Sequence, residues 1–157
     1  MRRIVTAFLV ALTYFVPERA DCCTFEPSAV AKELATTAAR NPGAIFVPGE
    51  HAFKWHLASG EVVSISRSGC EDLGVTVSVA FAEGHVPSNE QAATHLFKAV
   101  SQYWSPRQAQ DAMAAWQKQR HTIDVGAEYR VSETALFPFG FTLTHSKNRI
   151  SLSWVEA

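Results

Sequence analysis

The apolar positions along this chain change period several times, and each change marks an element. Val30, Leu34 and Ala38 recur every four residues, a narrow helical stripe. Glu26-Pro27 opens that helix, because proline in the first turn lacks only an N–H that the helix would leave unpaired. Asn41-Pro42-Gly43 ends it, since proline pushes the residue before it out of the helical region. The period then drops to two. Phe53, Trp55 and Leu57 share one face, and Lys54 and His56 share the other. Ser59-Gly60 makes a turn and "EVVSISR" returns with Val63 and Ile65 inward, so 52–67 is expected to be a hairpin. In "GVTVSVAFA", Val75, Val77, Val79 and Phe81 lie on one side, with Thr76, Ser78 and Ala80 opposite.

Helical spacing resumes at Ser88. Ser88 and Gln91 form an S-x-x-Q capping box, ahead of Ala92, Ala93, Leu96, Phe97, Val100 and Tyr103. Ser105-Pro106 restarts the helix by the same device, Ser105 pairing with Gln108, and a bend is expected at Ser105. Ala109, Ala112, Met113 and Trp116 form the new stripe. Alternation returns in Ile123, Val125, Ala127, Tyr129 and Val131, then in Phe137, Phe139, Phe141 and Leu143, then in Ile150, Leu152 and Trp154. Ser132–Thr134 and Ser146–Asn148 have the length of hairpin turns. Pro138 cannot donate to a ladder, so its strand is expected to lie at an edge or to bulge there.

The expected order is α-βββ-αα-βββ, an α+β two-layer sandwich. One antiparallel sheet of about six strands would carry the helices on one face, where their stripes find apolar cover. The order also fits a tandem duplication of an α-βββ unit, although no residue-level identity links the halves.

The N-terminus adds a compartment. Arg2 and Arg3 precede an uncharged apolar run from Ile4 to Val16, the length of a signal-peptide core and too short to span a bilayer. Pro17 follows, and Ala20 is a small residue for cleavage; Glu18 fits that site less well. Residues 1–20 thus read as a signal peptide and 21–157 as a single α+β domain, periplasmic or secreted. The whole chain has 14 basic and 15 acidic side chains. Without Arg2, Arg3, Arg19 and Glu18 these become 11 and 14, a net charge of −3. With no run of Lys or Arg, neither nucleic acid nor anionic lipid is an expected partner, and no stable membrane association is expected after cleavage.

Export changes the meaning of the three cysteines. Arg19-Ala20-Asp21 before Cys22 does not suit a lipid anchor, and Cys22-Cys23 without a nearby histidine supplies no zinc set. A bond within the adjacent pair would force a distorted small ring. The expectation is a disulfide between Cys23 and Cys70, with Cys22 the other possible partner. Closing a loop of about 47 residues stabilises the fold by up to about 4 kcal/mol in the chain-entropy model. The alternative role for Cys70 is a nucleophile, but Glu71 and Asp72 beside it would oppose thiolate formation.

Further chemistry is sparse. The histidines at 51, 56, 85, 95, 121 and 145 make no H-x-H or H-E-x-x-H motif and no helical i,i+4 pair. His56 and His145 fall in strands but on opposite faces. There is no G-x-S-x-G elbow, no S-x-x-K pair and no glycine-rich phosphate loop. Trp55, Trp104, Trp116 and Trp154 fall on apolar stripes and read as core. No catalytic residue, metal or cofactor is assigned.

What remains is the polar side of the sheet. Lys54, His56, Asp124, Glu128 and Arg130 lie there among short serines and threonines, and Glu71 and Asp72 sit on the loop beside Cys70. A pinned loop loses little entropy on binding, which favours contact with a protein. The sequence therefore suggests a small exported, non-enzymatic protein that binds a protein partner, as inhibitors and immunity proteins do. The alternatives are a small-ligand carrier, with an apolar cleft lined by Phe97, Trp104, Phe139 and Phe141, or a small enzyme built on Cys70.

Overall fold

The computed structural model describes residues 27–47, 50–68, 73–119 and 126–156. Among these, helix α1 (Pro27–Arg40) is followed by strands β1 (Ile45–Val47), β2 (Ala52–His56), β3 (Val62–Ser68) and β4 (Leu73–Ala80). Then come helices α2 (Asn89–Tyr103) and α3 (Pro106–Gln119) and strands β5 (Glu128–Val131), β6 (Phe141–Ser146) and β7 (Arg149–Glu156). All seven strands form one antiparallel sheet in the order β1-β2-β3-β4-β7-β6-β5. The α+β architecture expected from the sequence is the one found, with one strand more than expected.

Two meanders meet at β4 and β7, which pair over eight residues from Leu73↔Glu156 to Ala80↔Arg149. At this seam the inward residues Val75, Val77, Val79, Ile150, Leu152 and Trp154 are buried. Helix α2 covers them with Ala92, Ala93, Leu96, Phe97 and Val100, all buried. Both N–H groups of its capping box are paired, Gln91 N to Ser88 Oγ (3.3 Å) and Ser88 N to Gln91 Oε1 (3.0 Å). The helix stops at Tyr103 because Trp104 leaves helical geometry. Trp104 N and Ser105 N both donate to Val100 O, and Ser105 Oγ then accepts from Gln108 N (3.3 Å) to start α3. The bend expected at Ser105 is thus a full break between two helices. Met113, placed in the α3 stripe, is not buried but 39 % exposed.

Two strand expectations need correction. The sequence does not show β1, because a strand of three residues between Gly43 and Pro48-Gly49 is too short to show a period. Phe137 and Phe139 do not share a face in one strand with Phe141. Phe137 is fully buried, while Phe139 is 65 % exposed. Pro138 interrupts the ladder and Gly140 takes φ +75°, so the chain turns between them and β6 begins only at Phe141. Asp111 of α3 holds this loop, accepting from Thr134 Oγ1 and from Leu136 N (3.0 Å).

Among the described residues, one charged side chain lies in the core. Arg67, 2 % exposed, points to the helix side, pairs with Glu156 and lies 5.3 Å from the Trp104 ring centroid. Burial of a guanidinium is tolerable only with such a counter-ion.

Candidate functional site: the uncovered face of the sheet

Residues directly opposite in a ladder point to the same side, so the register assigns the face turned away from the helices. One row runs across all seven strands: Ile45, Lys54, Ser64, Ser78, Ser151, Thr144 and Glu128. Six strand spacings make it about 29 Å long. A second row holds Ala52, Ser66, Thr76, Ser153, Thr142 and Arg130. A third holds His56, Val62, Ala80, Arg149 and Ser146. Between the long side chains at its ends, this face is paved with small groups. Thr76 and Ser153 hydroxyls satisfy each other at 2.9 Å.

Two depressions open on this face. The first, about 250 Å3, is floored by Val62, Ser64, Ser78 and Ala80 and ringed by Glu50, Lys54, His56 and Arg149. Lys54 Nζ bonds Glu50 Oε1 at 2.7 Å, whereas Arg149 has no carboxylate partner among the described residues. The second, about 410 Å3, lies over Gly74, Thr76, Ser153 and Thr142, with Phe139 and Arg130 among its walls. Two glycines help to make it a hollow. Gly74 has no side chain to fill it, and Gly140 cannot gain one, since a Cβ there would sit 2.3 Å from Val131 O. The same turn sets Phe139 outward. On the edge strand, Arg130 Nε bonds Glu128 Oε1 at 2.8 Å.

Of the surface residues expected from sequence, Lys54, His56, Glu128 and Arg130 do lie on this face, with Lys54 and Glu128 in one row. Cys22, Cys23, Cys70, Glu71, Asp72 and Asp124 lie outside the described residues, as do residues 1–20. Sequence reading missed Arg149, which follows a turn, and two exposed apolar groups, Ile45 (54 % exposed) and Phe139. Ile45 belongs to the unforeseen strand, and Phe139 had been counted inward.

The aromatics named for an apolar cleft do not line one together. Phe97 and Phe141 are core residues, Trp104 stacks edge-on against Trp154 (centroids 5.9 Å), and Phe139 stands on the opposite side of the sheet. His145, unlike His56, is wholly buried on the helix side. Its Nδ1 lies 2.7 Å from Asn89 Oδ1 and its Nε2 has no partner among the described residues, and desolvation lowers its pKa. Desolvation also raises the phenol pKa of Tyr129. Among the described residues no three His, Cys, Asp or Glu side chains converge as a metal set would, and no helix is long and apolar enough to cross a membrane. No family model matches the chain, and neither a curated protein nor a solved structure matches it.

Proposed function

We propose that this chain is an exported, non-enzymatic protein that binds a protein partner through the uncovered face of its sheet, as inhibitors and immunity proteins do. The observation that carries the reading is the placement of two exposed apolar anchors, Ile45 and Phe139, towards opposite ends of a hydroxyl-rich floor. Interfaces concentrate binding energy in a few such anchors and in arginines, with near-neutral contacts around them. The charge on this face supports a partner segment bearing carboxylates. Among the described residues, Lys54, Arg130, Arg149 and His56 stand there with the carboxylates Glu50 and Glu128.

Size sets a condition on the partner. A strip about 29 Å by 17 Å covers about 500 Å2, short of the roughly 800 Å2 per side of a stable complex. The partner must therefore also reach beyond the strip, and the described surface continues into the Phe139 loop; we propose that the connection between β3 and β4 takes part as well. That connection contains Cys70, Glu71 and Asp72, and a Cys23–Cys70 disulfide would hold it in place, which belongs to the same proposal. Export rests on the basic start and apolar run of residues 1–20.

The test is capture of identified proteins from periplasm or culture medium by the tagged protein and by face variants. Phe139→Ala with Arg149→Glu should lower capture of one partner at least tenfold, while Lys118→Glu on α3 leaves it unchanged. Capture of nothing specific, or capture indifferent to both face substitutions, removes the proposal.

A further inference from the structure

On the other side of the sheet, a separate cavity of about 370 Å3 lies between α2 and the β2–β3 hairpin. Its apolar wall comes from Val63, Val79 and Ala99, three buried side chains. The rim is built with unusual economy around one carboxylate. Glu61, largely buried at its side chain, accepts from Ser59 Oγ at 3.0 Å and lies 2.5 Å from Nδ1 of His95. The hairpin that presents it is fixed at both ends of its turn, Leu57 N to Glu61 O (2.9 Å) and Gly60 N to Leu57 O (3.0 Å). Glu61 is therefore occupied by protein donors and positioned by a rigid turn.

One helical turn beyond His95, Lys98 lines the same cavity, and it has no ion-pair partner among the described residues. Positions 95, 98 and 102 share a face of α2, so imidazole, ammonium and the Gln102 amide follow one another along one side of the cavity. Lys98 and Gln102 carry donors, Glu61, the only carboxylate among the described lining residues, is engaged by Ser59 and His95, and the opposite wall is apolar. A cavity of this volume lies at the small end of the roughly 300–1,000 Å3 range of ligand sites.

The geometry points to a binding site for a small organic monocarboxylate, its apolar body against Val63, Val79 and Ala99 and its carboxylate on Lys98 and Gln102. The site is independent of the partner-binding face, since the sheet separates them. Because Glu61 holds His95 Nδ1, the imidazole is left with its other nitrogen for water, and the pair acts as a fixed wall of the site.

The test is an amide-resonance titration of the protein with sodium hexanoate, with 1-hexanol as an uncharged probe of the same body. Hexanoate should shift Glu61, His95, Lys98 and Gln102 saturably, with half-saturation near or below about 1 mM. Lys98→Met should weaken hexanoate about two- to fivefold, the worth of an exposed charge contact, and leave hexanol unchanged. Lys98 is exposed, so the variant should keep its remaining spectrum. Ala99→Leu, which fills the cavity, should abolish binding of both probes. Absence of saturable shifts, shifts elsewhere only, or hexanoate binding unaffected by Lys98→Met overturns the inference.

Discussion

Gly140 carries two constraints at one residue. Its φ of +75° lies where L side chains are strained, and the carbonyl of Val131 fills the place of a Cβ. Gly140→Ala should therefore cost at least about 2 kcal/mol, more than the backbone term alone; urea unfolding would measure it. His145 offers a second single-residue prediction. Its pKa in the fold is lowered, so on acidification the unfolded chain takes up the proton first. Its contribution to stability is complete above the ordinary imidazole value of about 6.5 and is lost as pH falls from there through the lowered folded value. Urea midpoints should be higher at pH 7.5 than at pH 5.5, and the difference should shrink in His145→Leu. The alternation of residues 141–145 put His145 on the apolar side from sequence alone. Nothing in the sequence paired it with Asn89, 56 residues away, or joined Glu61 to His95, because those contacts exist only once a helix lies on the sheet.

At the scale of elements, capping chemistry was the most legible signal. Ser88 and Ser105 were identified as caps from residues three apart, and local hydrogen bonds need no tertiary fold to be inferred. Ser88→Ala removes one half of a paired set and should lower stability by about 1 kcal/mol, a drop of roughly 3 °C in Tm. Calorimetry would register it. The loop from Ser132 to Gly140 was illegible for the opposite reason. Its phenylalanines keep strand alternation, but its path is set by Pro138, by Gly140 and by a carboxylate on a helix more than twenty residues earlier. Asp111→Ala should free that loop, cost about 1–2 kcal/mol, and raise amide exchange at Leu136. Strand β1 was missed because a three-residue element is too short for any period to appear.

Across the whole molecule, the number of strands was nearly readable and their order was not. Alternation shows which side of a strand is buried, but carries no record of which strand lies next to it. The pairing of β4 with β7 puts their inward residues side by side under α2, a contact that exists only in the assembled sheet. Leu152, wholly buried at this seam, should cost about 2–5 kcal/mol when changed to alanine. Because one core runs through both meanders, tryptophan fluorescence and far-UV circular dichroism should lose signal in a single coincident transition. Two separated transitions would mean that the meanders are independent units.

The pairing of β4 with β7 also has a temporal side. Nearly seventy residues separate 73–80 from 149–156, so β4 gains its second neighbour only after the last strand of the sheet has been made. A sheet of the first four strands alone would leave a valine-rich border open, prone to adhere to any extended chain nearby. Closure depends on a contact far apart in sequence, which slows folding. Shielding of that border until residues 149–156 arrive would favour correct closure of the sheet.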